Sequence, residues 1–238
     1  MLKADLARFA LPETPGVYKF LGEDGVILYI GKATSLKDRV RSYFAPDVVA
    51  TRGAHIVKMV EEARSLEWET ADSVLEALIL EANLIKKYQP PANSRDRDNK
   101  SFNYLVITEE AYPRVLTVRG RELFQKWNDK DVRHLFGPFP EGGSLKEAVK
   151  LVRRIFPFRD DKCKPEGGKP CFNRQIGLCP GVCDGTMGKR AYAQVIRHIA
   201  LLFAGKKLKL IEEISKDMAR AAKQERFEEA QEMRRQIG

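Results

Sequence analysis

The sequence predicts an α+β protein: a small antiparallel sheet flanked by helices, then a cysteine-rich segment, then a C-terminal α-helical hairpin. Three stretches carry this reading. Residues 15–44, PGVYKFLGEDGVILYIGKATSLKDRVRSYF, hold two β-branched and aromatic runs around an Asp-Gly pair and then change to helical spacing. Residues 72–88, DSVLEALILEANLIKKY, repeat apolar residues at the helical period until Pro90-Pro91 stops them. Residues 208–238 read as two amphipathic helices with a break near 223–226, and they follow four cysteines placed between positions 163 and 183.

In chain order, residues 1–14 form a lead-in helix or arm with Leu2, Leu6 and Phe9 on one side and Pro12 at its end. Strands over 17–20 and 26–30 place Tyr18 and Tyr29 side by side. Thr34 or Ser35 caps the helix whose Leu36, Val40 and Tyr43 or Phe44 share a face. A polar loop spans 47–53, a helix 54–63, and a third strand, 65–70, pairs with the first hairpin. Ser73 caps the helix that follows. Beyond a polar stretch at 94–104, strands over 105–108 and 115–118 pair. Residues 119–132 read as a loop, 134–140 as a turn, 145–156 as a helix with a basic outer side, and 190–203 as another helix before a hinge at Gly205. The implied domains are 1–95, 96–160, 161–204 and 205–238.

The 238 residues are 43% hydrophobic, enough to pack a core, and Lys+Arg 42 against Asp+Glu 33 gives a net charge of +9. Excess positive charge favours a polyanionic partner. The first residues are broken by charges and prolines and lack the apolar centre of a secretory signal, and no stretch is long and apolar enough to span a membrane, so a cytoplasmic location with no membrane partner is expected.

Tyr18, Tyr29, Lys32, Arg39 and Tyr43 converge on one end of the small sheet, with Arg39 and Tyr43 four residues apart on one helix face. Glu81 stands out on the 72–88 helix, because its neighbours three and four residues away are Ala77, Leu78, Leu84 and Ile85. A carboxylate held against apolar neighbours needs an ion-pair partner, with Arg39 the candidate, or a bound cation. His55 has no nucleophile or metal-ligand spacing around it and reads as a solvated helix histidine.

Gly-Val-Tyr followed after a spacer by Tyr-Ile-Gly-Lys resembles the signature of the GIY-YIG nucleases, with Val17 in place of the middle isoleucine. The following ATSLKDRVRSYF, together with EALILEANLIKKYQPPAN, resembles the UvrC family of bacterial nucleotide excision repair. That resemblance implies a GIY-YIG domain whose single glutamate, Glu81 here, holds Mg2+ or Mn2+, ions that prefer oxygen ligands. It implies that Asn93 takes the place of the active-site asparagine, although Pro91-Ala92 replaces the more usual Arg-Tyr before it. Arg39 would stabilise the pentacovalent phosphate, Tyr18 or Tyr29 would deprotonate water with Lys32 and the metal lowering its pKa, and Tyr43 would orient phosphate or water. Asn99 and Phe102 depart slightly from a related Asp-Lys-Ser-Tyr segment, where Lys100 is a candidate DNA-backbone contact.

Cys163, Cys171, Cys179 and Cys183 have the spacing C-x7-C-x7-C-x3-C, sufficient for one tetrahedral Zn2+ or one four-iron cluster. The absence of two tight pairs speaks against a zinc ribbon, and the family resemblance implies a [4Fe-4S] cluster with a structural or DNA-sensing role. The final hairpin resembles the UVR motif, which implies docking to UvrB through an apolar stripe with Phe227 as anchor and Met218 and Ala230 beside it. Full-length relatives continue into a ribonuclease-H-like nuclease and a helix-hairpin-helix module, which these residues do not include. The resulting expectation is a metal-dependent endonuclease making the incision 3′ to a lesion in damaged DNA, working with UvrB. A non-catalytic DNA- and UvrB-binding adaptor and a stand-alone repair nuclease are the alternatives.

Overall fold

Asp24 and Gly25 turn the chain between β1 (Gly16–Leu21) and β2 (Ile27–Ala33) with φ of 55° and 74°. Asp-Gly is suited to this left-handed pair, whose twist matches that of the two strands. The computed structural model describes residues 1–94 and 101–237. They fall into two compact units, one of Met1–Tyr104, Arg119–Gln125 and Gly137–Ser144, the other of Leu105–Val118, Lys126–Phe136 and Leu145–Gly238.

In the first unit, α1 (Leu36–Arg41) starts at Ser35, whose Oγ accepts from the Asp38 N–H at 3.3 Å. A single-turn helix over Ser42–Phe44 carries Tyr43, after which come α2 (Val48–Arg52) and α3 (Ala54–Glu62). Residues 47–53, expected as loop, are therefore mostly helical; five residues are too few to show a period, and Gly53, at φ 84°, separates the two helices. Next come β3 (Ser65–Thr70), α4 (Val74–Tyr88), capped by Ser73 as expected, and the short α5 (Pro91–Ser94).

The sheet order is β2-β1-β3, antiparallel throughout, with β2 at an edge. Alternation divides its side chains: Tyr18 and Phe20 pack with Leu36, Val40, Tyr43, Ile56 and Met59, whereas Val17 and Ile30 pack with Ile85 of α4. Val17 thus occupies a site for a buried β-branched side chain.

The remaining strands are β4 (Asn103–Thr108), β5 (Val115–Arg119) and β6 (Val132–Phe139), in the order β5-β4-β6. Between β5 and β6 lies α6 (Gly120–Lys126), where the sequence suggested only loop; it buries Leu123, and the Gly120 N–H is taken by the Phe102 carbonyl at 2.8 Å. Residues 134–139, expected as a turn, belong to β6. Helices α7 (Gly142–Ile155), α8 (Phe172–Gln175), α9 (Lys189–Phe203), α10 (Lys207–Lys223) and α11 (Phe227–Ile237) complete the chain, and the bend at Gly205 has φ 70°. No helix among the described residues is long and apolar enough to cross a membrane. The backbone contact expected of Lys100 lies outside the described residues.

Gly31 faces Tyr18 across the hairpin, and a Cβ there would lie 2.3 Å from the Tyr18 Oη and 2.9 Å from the Tyr29 ring. Gly31→Ala is therefore expected to cost about 1–3 kcal/mol in urea unfolding, the usual range for overpacking. A loss within about 0.5 kcal/mol, typical of a neutral surface change, would show that the rings have room to spare.

Candidate active site

Tyr18, Tyr29 and Tyr43 form a triangle of rings with centroids 5.8 to 6.3 Å apart. Tyr18 is fully buried; its hydroxyl lies 2.6 Å from that of Tyr43 and accepts from Arg39 Nε at 3.3 Å. Tyr29 lies beside this pair, its ring centroid 6.0 Å from that of Tyr43. Burial raises all three phenols well above the ordinary tyrosine range. Arg39 opposes the rise in each, because a nearby positive charge favours phenolate.

Two side chains finish the free edge of β2. The Ile30 N–H donates to Asn93 Oδ1 at 2.8 Å and its carbonyl accepts from Asn93 Nδ2 at 2.8 Å. Two residues along, the Lys32 N–H donates to Glu81 Oε1 at 2.9 Å. The Asn93 amide thus bonds to the backbone of the residue that follows Tyr29.

Glu81 is 5% exposed, and its Oε2 is buried with no hydrogen-bond partner among the described residues. The ion pair with Arg39 that the sequence allowed does not form. Burial pushes the Glu81 carboxyl up to about 7, against the opposing pull of the Lys32 charge and N–H. The Lys32 ammonium is 2.9 Å from Glu141, and Arg39 is the nearby cation that favours the phenolates.

A cavity of about 360 Å³ opens over these groups, lined by Tyr29, Arg39, Tyr43, Glu81 and Asn93 among others. Tyr18 lies outside its lining. Three more lining residues escaped the sequence reading: Arg52, stacked 4.3 Å from the Tyr43 ring centroid, His55, which was read as solvated, and Glu141. The Lys32–Glu141 pair spans 109 positions and has no local sequence signal. Arg52 and His55 sit on either side of Gly53, where the short helices hide periodicity.

In the second unit the four cysteines come together, with all four Sγ atoms within 4.8 Å of one another and Cys171 and Cys183 at 3.6 Å. None of the four forms a disulfide. Burial and the neighbouring thiols push Cys163 up to about 12. For Cys183 burial acts the same way but is outweighed by hydrogen bonds, chiefly from the Cys171 N–H, which leave it below the ordinary thiol range.

Known proteins resolve the family. Residues 14–94 match the UvrC-like GIY-YIG domain, and residues 102–202 match the middle domain of the UvrC/Cho excinucleases. The chain belongs to the UvrC family. Among UvrC relatives, the UvrABC system protein C of Synechococcus sp. (strain JA-3-3Ab) is 40% identical over 228 residues, 95% of this chain and 36% of that protein. That of Desulforudis audaxviator is 37% identical over 228 residues, 95% of this chain and 35% of that protein. This chain thus spans about a third of the length of the curated UvrC relatives it matches. The magnesium-bound GIY-YIG N-terminal endonuclease domain of UvrC from Thermotoga maritima is 46% identical, covering 35% of this chain and 86% of that domain, with a TM-score of 0.31.

The raised Glu81 carboxyl has a signed consequence for stability. Because the folded state holds this proton more tightly than the unfolded chain, metal-free protein loses stability as pH rises from about 4.5 to about 7. At 1.36 kcal/mol per pH step, the full loss above that window is about 3 kcal/mol. Chemical unfolding in a chelator between pH 4 and pH 8 is expected to show this fall in wild type relative to Glu81→Gln; parallel profiles would refute it.

Proposed function

We propose that this chain hydrolyses a DNA phosphodiester, making the incision 3′ to a lesion in nucleotide excision repair with UvrB as its partner. The observation that carries the reading is the unpartnered Glu81 Oε2 on the cavity that also holds Tyr29 and Arg39. An oxygen donor with nothing to bond fits Mg2+ or Mn2+, hard ions that accept a single carboxylate and keep several waters. The bound ion would neutralise charge on the scissile phosphate and its leaving oxygen.

The chain's own groups divide the remaining work. Arg39 presents a permanent, fork-shaped charge to the phosphate. Tyr29 is the better placed of the two candidate bases, since it lines the cavity while Tyr18 is fully buried and spent on Tyr43 and Arg39. Tyr43, bonded to Tyr18, would orient phosphate or water, and the Lys32 N–H and the Asn93 amide hold Glu81 and β2 in register. The intact Asn93 contacts favour an enzyme over the adaptor alternative.

For the partner, Phe227 opens α11 with 67% of its surface exposed, whereas Met218 and Ala230 are partly covered within the hairpin. A lone exposed ring is a suitable anchor for UvrB. For the cysteines, the reading is a metal centre. Four sulfurs within 4.8 Å of one another need only draw slightly together to share a single tetrahedral zinc, whereas the [4Fe-4S] cluster implied by the resemblance needs them to part so that each binds its own iron.

Incision of a UvrB-loaded lesion duplex in Mg2+ is expected to fall about 10²-fold or more in Glu81→Gln, a loss on the scale of removing an electrostatic group from a transition state. Equal cutting by both proteins would end the site assignment, and no cutting by wild type would favour the adaptor. Phe227→Ala is expected to weaken UvrB binding at least about tenfold; unchanged affinity would remove that anchor. Anaerobic purification with iron, sulfide and zinc analysis is expected to find either four irons or one zinc per chain. Metal-free protein with reactive thiols would contradict both.

A further inference from the structure

Arg52 projects into the active-site cavity and has no role in the chemistry above. Its guanidinium lies 4.3 Å from the centroid of the Tyr43 ring, and one arm, Nη2, donates to Ser42 Oγ at 2.7 Å. Ser42 Oγ in turn donates to the Arg39 carbonyl at 2.6 Å. The position of one arginine is therefore tied to the backbone of the other, with the Tyr43 ring between them: Arg39 sits 5.9 Å from the same centroid.

Neither arginine is neutralised among the described residues. Arg39 bonds only to the neutral Tyr18 hydroxyl and Arg52 only to the neutral Ser42 among the described residues. The two carboxylates lining the cavity do not serve them, since Glu141 is paired with Lys32 and Glu81 is bonded to the Lys32 N–H. A guanidinium carries five N–H donors in a fixed fork, so most of the donors of Arg52 remain available. Stacking on an aromatic face and a single neutral hydrogen bond orient the fork without quenching its charge. Two oriented and unquenched guanidiniums in one cavity repel each other, and an anion for each removes that cost.

One scissile phosphate accounts for Arg39. Resting on the phosphodiesterase reading, we propose that Arg52 seats the phosphate next to the scissile one on the cut strand, fixing the strand's register over Tyr29 and Glu81. Arg52 then binds and positions and takes no part in bond making. Its contribution is sequence-independent, as a backbone contact must be.

The test uses the full chain, UvrB and a fluorescent lesion duplex, with binding read by anisotropy and incision read separately. Three substrates are compared: unmodified DNA, and duplexes with a neutral methylphosphonate at the linkage on either side of the cut. Wild type is expected to lose about tenfold in affinity, one charge-assisted contact, on one modified duplex. Arg52→Ala is expected to show that same loss on unmodified DNA and no further loss on that duplex. Its plot of log affinity against log salt should be shallower by about 0.7–0.9, the value for one phosphate contact. Arg52→Lys, which keeps the charge and serves if the alanine variant folds poorly, should retain the steeper slope. The inference is overturned if wild type tolerates both methylphosphonates, if both proteins lose affinity equally on the modified duplexes, or if Arg52→Ala changes the incision rate alone. If the affinity pattern appears but wild type does not cut, the phosphate seat stands and the nuclease reading falls.

Discussion

The open edge of β2 is the constraint from which the site follows. An edge strand leaves N–H and C=O groups unpaired, and they must be satisfied or hidden. Here the Ile30 groups are taken by the Asn93 amide and the Lys32 N–H by the Glu81 carboxylate. Closing the sheet and placing the acid are a single event. Because Ile30 and Lys32 are two residues apart, both edge contacts lie on the same side of the strand, and the intervening Gly31 leaves room for the Tyr18 ring.

Burial then sets the chemistry. The tyrosines and Glu81 are withdrawn from water, and in each the proton is held more tightly than in a free side chain. Arg39 is the internal counterweight for the phenols, and the unsatisfied oxygen of Glu81 is where, on the proposed function, an external cation would offset the cost of burial. A buried acceptor without a partner costs about 1–3 kcal/mol, an instability that a specific ligand relieves.

The cysteine segment follows a different logic, because it has little regular structure to support it. Arg159, 5% exposed, donates to the Tyr112 carbonyl at 2.6 Å, to the Cys163 carbonyl at 3.0 Å and to Glu110 at 2.5 Å. The Tyr192 hydroxyl adds a bond to the Pro113 carbonyl at 2.8 Å. Polar bonds that are nearly all made can rigidify a loop as a core would. They fasten Cys163 to the turn between β4 and β5, while Gly177 and Gly181, at φ 76° and 100°, permit the bends on either side of Cys179.

By itself the sequence determined the first hairpin, a cap at Thr34 or Ser35, the cap at Ser73, the helix bearing Glu81, the gathering of thiols between 163 and 183 and the break in the C-terminal hairpin. These rest on local turn chemistry, short-range periodicity or close spacing, which act within a few residues. It also marked Glu81 as a carboxylate on an apolar face, while the family resemblance, and not spacing, set Tyr18, Tyr29 and Arg39 around the same phosphate. Only the tertiary structure decided that Tyr18 lies beneath the cavity, that Lys32 pairs with Glu141 while Arg39 opposes the rise in the phenols, and that Arg52 stacks on Tyr43. Those outcomes depend on burial and on contacts between residues far apart in the chain, and neither pattern nor spacing carries such information.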